Sequence, residues 1–153
     1  MKRIMFVCHG NICRSPMAEM IMKSLTKKQG MEMVIASSAT SSEEIYGGVG
    51  NPIYPPAQRA LNKHGVPIEP HRATRLVASD ADKYDMFIGM DRMNIMNMRR
   101  ILGEGAGEKI FRLMDFTSRP GEVSDPWYSG DFDTCYNDIY LGCTGLIEYL
   151  LKN

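Results

Sequence analysis

Apolar positions recur along the chain at two spacings, and the two alternate. Residues 3–7 (RIMFV) form a short, nearly continuous apolar run, the pattern of a strand covered on both faces. Ser15-Pro16 then marks a helix entry, with Ser15 as cap and Pro16 at the first helical position. Ala18, Ile21, Met22 and Leu25 follow at helical spacing, Lys27 and Lys28 sit near the end, and Gly30 supplies the stop. Residues 32–37 predict a second strand. A segment rich in Gly and Pro, about residues 41–56, cannot be regular throughout. A helix is expected over 57–64, closing at Gly65. A strand is expected over 85–90, and Asp91 then caps a helix over 92–102. Residues 109–114 (KIFRLM) predict another strand. A polar stretch leads to a last helix of about 132–151, with Phe132, Cys135, Ile139, Leu146 and Leu150 as its apolar stripe.

Strands alternating with helices predict an α/β fold of three layers, α/β/α, around a central, mainly parallel sheet of about four strands. In such Rossmann-like sheets ligands bind beyond the carboxyl ends of the strands. The loop after the first strand, VCHGNICRSP (residues 7–16), lies at such an end.

Composition narrows the picture. The 153 residues predict one domain, 1–153, long enough to bury a core without disulfides. Lys+Arg and Asp+Glu are equal at 18 each, so bulk charge points to no nucleic-acid or membrane partner. No apolar run approaches the roughly 18 residues of a membrane span. Only IMFV separates Lys2-Arg3 from Cys8, too little for a signal peptide, so a cytoplasmic setting with reduced cysteines is expected. Thirteen methionines read as adaptable core filler.

The VCHGNICRSP loop carries the chemistry. A strand-to-helix loop presents unpaired backbone N–H groups, and the helix dipole adds positive potential, so it is an anion site. Gly10 lets the backbone curl close to a ligand, and Asn11 tolerates left-handed conformations. Arg14 adds a two-pronged clamp for phosphate-like oxygens. Cys8 would sit at the bottom of the cradle, and the field that holds phosphate also favours its thiolate. Together these describe a nucleophile beneath a bound phosphoryl group. The plainer alternative makes Cys8 a small buried hydrophobe and Arg14 a solvated residue at a helix start. A Walker loop is excluded, because G-x-x-x-x-G-K-[ST] is absent. Cys8 and Cys13 have no second ligand pair at zinc spacing, so the loop is not read as a zinc site; no cofactor is expected.

The motif V-C-x-G-N-I-C-R-S-P, continuing into Met17-Ala18-Glu19, resembles that of the low-molecular-weight protein tyrosine phosphatases. The likeness extends over the chain, through its length, its element order and Asp125-Pro126-Trp127-Tyr128 near the end. It implies the phosphotyrosine protein phosphatase I-like fold and a metal-independent enzyme hydrolysing phosphotyrosine proteins or aryl phosphates, with inorganic phosphate as product. It implies that Cys8, Arg14 and Asp125 are catalytic and that His9, Gly10, Asn11, Ile12, Cys13, Arg14 and Ser15 hold the phosphate. Cys8 would form a phosphocysteine while Asp125 serves as general acid and then base. Read without the resemblance, Asp125 is an Asp-Pro turn whose aromatics pack on the last helix. Ser15 resembles the hydroxyl bonded to the nucleophile's sulfur. Asn11, Ser37 and His71 resemble the network that shapes the loop, although Ser37 and His71 also read simply as a strand-end Ser and a surface His. A reversible Cys8–Cys13 disulfide is implied as well, against the simpler reading of Cys13 as packing.

The substrate pocket is expected from His9, Ile12, Tyr46, Trp127 and Tyr128. His9 departs from the family's usual leucine, and the usual tryptophan before Val49-Gly50 is missing, leaving Tyr46 as the nearest aromatic. Ile12 stands where protein-arginine phosphatases carry Thr, which favours a flat aryl phosphate; a protein-arginine phosphatase is the alternative. Thiol-coupled arsenate reductases need further cysteines, and residues 79–95 have none. A binding module without turnover would need neither thiolate nor acid.

Overall fold

The computed structural model describes all 153 residues. Its centre is a four-stranded parallel sheet in the order β2-β1-β5-β6, formed by β1 (Lys2–Cys8), β2 (Met33–Ala39), β5 (Met86–Gly89) and β6 (Ile110–Arg112). Alternate residues of β1 serve opposite faces. Ile4, Phe6 and Cys8 join a core of 26 buried residues, into which α1 (Arg14–Lys28), α2 (Pro55–Lys63) and α5 (Phe132–Lys152) pack. Met5 and Val7 join a smaller core of 8 with Phe87, Met98 and Leu102, covered by α3 (Arg92–Leu102). Burial on both faces explains why β1 reads as unbroken apolar sequence, each fully buried Ile or Phe contributing about 1.5–3 kcal/mol.

The expected α/β/α architecture is what forms, with differences that have local causes. Helix α1 starts at Arg14 with Cys13 in the cap position, so Ser15 is not the cap. Its hydroxyl is engaged by Cys8 and Asn11 instead. Helix α2 starts at Pro55, because two prolines fit the first turn, where no N–H is needed. The Gly-rich segment holds a small antiparallel hairpin, β3 (Ile45–Tyr46) with β4 (Val49–Gly50). Its turn is Gly47-Gly48, both at positive φ (58° and 79°), as a tight hairpin turn requires. Strand β6 is shorter than the apolar run 109–114. Residues Leu113–Phe116 coil into a 3-10 turn that delivers Leu113 and Met114, both buried, to the larger core. A single-turn helix, α4 (Pro126–Ser129), follows Asp125.

The order β2-β1-β5-β6 places β1 and β5 side by side while their crossovers leave in opposite directions. The crevice between their carboxyl ends is therefore the switch point at which such sheets take ligands.

Candidate active site

Residues 9–13 fill that crevice between the end of β1 and the start of α1. Their backbone turns on Asn11, at φ 59° and fully buried. Three contacts keep it there. Asn11 Nδ2 donates to Ser15 Oγ at 2.7 Å, Asn11 Oδ1 accepts from Thr74 N–H at 3.0 Å, and the Asn11 carbonyl meets His71 Nε2 at 2.9 Å. The amides of residues 9–14 donate to no backbone carbonyl, so the loop keeps donors for a ligand.

Cys8 Sγ lies 2.9 Å from Ser15 Oγ and 3.4 Å from the Ser15 amide. Because Ser15 Oγ already accepts from Asn11, its own proton is directed to the sulfur. Two donors thus face Cys8, which is 3% exposed and stands where the core meets the cleft, lining both.

Arg14 is 3% exposed and fixed by fork geometry. Nη1 donates to Asp91 Oδ2 and to the Val123 carbonyl, each at 2.8 Å, and Nη2 stands 3.7 Å from Asp125 Oδ2. Burial opposes its charge, but the negative potential of Cys8, the ion pair and hydrogen bond with Asp91, and Asp125 outweigh burial and raise its pKa. Asp91 has a second role: Oδ1 accepts from Asn94 N–H at 2.8 Å and caps α3. Asp125 caps α4 by accepting from Trp127 N–H at 3.0 Å, which leaves Oδ2 toward Arg14.

Cys8, Arg14 and Asp125 therefore meet in one cavity of about 400 Å³, together with His9, Gly10, Asn11, Ile12, Cys13, Trp127 and Tyr128. Trp127 is 59% and Tyr128 87% exposed at the mouth. The Trp127 ring packs on Tyr54, centroids 4.9 Å apart. A larger groove, about 640 Å³, runs between β6, α3 and α5 but holds no cysteine or histidine.

Tyr46 is a correction. It is 67% exposed on the β3–β4 hairpin and does not line the cavity; Glu43 and Glu44, just before β3, take that wall. The hairpin is only two residues a side, so its tip projects into solvent. Ser37 acts at one remove from the loop, as its hydroxyl donates to Glu19 Oε1 at 2.5 Å. His71 is no surface residue: its side chain is 7% exposed, with Nδ1 3.9 Å from Glu19 Oε1. Glu19 was missed as a site residue and also binds Lys23 at 2.7 Å. Its adjacency to the motif was the available signal. Tyr54, Glu43 and Glu44 lie in the irregular segment, where spacing carried none. Cys13 is a free thiol; the adjacent Cys135 thiol, burial and the nearby Cys8 push its pKa strongly up despite Arg14.

The fold and the cleft define an α/β protein with a buried cysteine and arginine on the loop at its switch point. Comparison with known proteins makes the assignment specific. Residues 3–153 match the family model for low molecular weight phosphotyrosine protein phosphatase. The chain is 35% identical over 153 residues to the low molecular weight protein-tyrosine-phosphatase YfkJ of Bacillus subtilis, covering 97% of this chain and 96% of the relative. The YfkJ crystal structure superposes with a TM-score of 0.93, at 33% identity over 99% of this chain and 96% of that one. The low molecular weight protein tyrosine phosphatase of Streptococcus pyogenes gives a TM-score of 0.87 at 35% identity, covering 98% and 93%. The chain belongs to the low molecular weight protein-tyrosine phosphatase family and is a hydrolase of that class.

Proposed function

We propose that this chain hydrolyses phosphotyrosine in proteins through a phosphocysteine on Cys8. The observation that carries the reading is the convergence of Cys8, Arg14 and Asp125 in one cleft, beside a loop whose amides 9–14 donate to no backbone carbonyl. The phosphoryl oxygens are held by amides of residues 9–14 and by Arg14, groups fixed before substrate arrives. Cys8 attacks phosphorus while Asp125 gives its proton to the departing phenolate oxygen. Water then attacks the phosphocysteine, Asp125 takes its proton, and inorganic phosphate leaves. No step calls on a metal. Ile12, Trp127 and Tyr128 supply flat apolar surface for an aryl ring. Four free cysteines suit a reducing, cytoplasmic setting.

The experiment is a side-by-side assay with phosphotyrosine and phosphoarginine peptides, with arsenate-dependent thiol oxidation as control. Phosphotyrosine turnover is expected to dominate. Cys8→Ser is expected to abolish p-nitrophenyl phosphate hydrolysis while circular dichroism stays native. Asp125→Ala is expected to slow the first step by about 10²–10⁴-fold with phosphate binding retained. Normal turnover by the Cys8→Ser protein overturns the mechanism, and faster phosphoarginine turnover overturns the substrate class.

A further inference from the structure

Two carboxylates in the cleft have no part in that mechanism. Glu43 and Glu44 line it beside Asp125. An acidic wall next to a phosphate trap repels the very group the trap receives. It is also a fixed wall. Thr40 N–H donates to the Cys8 carbonyl at 3.0 Å, and the Ser41 amide and hydroxyl donate to the His9 carbonyl at 3.1 and 3.0 Å. This ties residues 40–41 to the phosphate loop. Glu44 is gripped twice by Asn51, whose side chain donates to Oε1 at 3.0 Å and whose amide donates to the Glu44 carbonyl at 2.9 Å. The Glu44 side chain lies flat over Gly10, where an added Cβ would stand 3.2 Å from Glu44 Cγ. Glu44 Oε2 has no partner, and at the outer rim Glu43 Oε2 meets His9 Nε2 at 2.9 Å.

Arg14 does not neutralise this wall, since it is buried and already faces Asp91 and Asp125. The rim therefore carries two carboxylates against one histidine. Cys8 fixes where the phosphate must go, and that in turn fixes where the rest of the substrate passes. A residue adjoining the phosphotyrosine lies about 3.5 Å further along an extended chain, so its side chain reaches the rim.

Resting on the phosphotyrosine reading, we propose that Glu43 and Glu44 select phosphotyrosines flanked by lysine or arginine and reject those in acidic segments. Glu44 is the inner, positioned carboxylate. Glu43 is the outer one, held against the phosphate loop by His9.

The test uses the wild-type enzyme and three phosphotyrosine peptides of equal length, differing only in Lys, Ala or Glu flanks. The Lys peptide is expected to exceed the Glu peptide about fivefold in kcat/KM at low salt, each exposed pair contributing modestly. The ratio is expected to shrink at high salt, where charges a Debye length apart are screened. In Glu43→Gln/Glu44→Gln the ratio should fall toward one, and Glu44→Lys should reverse the order. Ratios are taken within each protein, so a general loss of activity cancels, and the wild-type salt series decides the matter if a variant fails to fold. Equal turnover of the three peptides, a ratio indifferent to salt, or a preference for the Glu peptide overturns the proposal and leaves the phosphatase reading intact. Absence of turnover with every phosphotyrosine peptide and with p-nitrophenyl phosphate overturns that reading itself.

Discussion

Asn11 shows how much one side chain carries. Its backbone sits at φ 59°, a conformation that costs most residues about 1–2 kcal/mol but suits Asn. Its amide then holds Ser15 and Thr74 in place, each bond contributing about 0.5–1.5 kcal/mol. Asn11→Ala loses both effects, and urea denaturation is expected to show about 3 kcal/mol of lost stability. Asn11→Gly restores the backbone freedom and not the bonds, so it should fall between the two. Equal stability of Ala and Gly would reject the conformational part. This residue was legible in the sequence, because Gly-Asn between a strand and a helix is a turn signal with a mechanism. Asp91 was only half legible. Its capping of Asn94 is local, three residues away, while its bond to Arg14 spans 77 positions and no periodicity encodes it. Ser37 and His71 carried no local pattern either, and it is Glu19 that connects them.

At the scale of elements, the long periodic segments were readable and the short ones were not. Helix α5 declares itself through Cys135, Ile139 and Leu146, all fully buried. The β3–β4 hairpin and α4 are too short for a period to register. The end of β6 was misjudged because an apolar run does not say where a strand yields to a 3-10 turn. That turn explains two glycines of α5 that helix propensity alone would disfavour. A Cβ on Gly142 would lie 2.4 Å from Leu113 Cγ, and one on Gly145 2.2 Å from the Phe116 carbonyl oxygen. In an open helix Gly→Ala gains about 1 kcal/mol. Here the sign reverses, because the obstacle at Gly145 is backbone. Gly145→Ala is expected to destabilise by about 1–3 kcal/mol, read as a Tm about 2–4 °C lower for each kcal/mol. A Tm equal to or above wild type would show that α5 is free to shift away from the turn.

Across the whole molecule, the sheet order brings three separate stretches of chain together at Arg14. The loop after β1 leads into the guanidinium, the start of α3 supplies Asp91, and the segment before α4 supplies the Val123 carbonyl and Asp125. Val123 is tied to the residue just after β5, its N–H donating to the Met90 carbonyl at 2.9 Å. An anion that engages Arg14 and the loop amides therefore binds a surface that exists only in the folded chain, and binding must stabilise the fold by linkage. If phosphate is that anion, at a hundred times its Kd it is expected to add about 2.7 kcal/mol, equivalent to a Tm about 5–10 °C higher for a chain of this size. Chloride at equal ionic strength should not reproduce the rise, because a monovalent sphere cannot use the fork and the amide ring together. Arg14→Lys keeps the charge and loses the planar fork, so its phosphate-induced rise should be a small part of the wild-type value. Differential scanning calorimetry on the two proteins reads both shifts directly. A wild-type Tm that phosphate raises no more than chloride would mean that the loop, Asp91 and the 123–125 segment do not form a preassembled anion site.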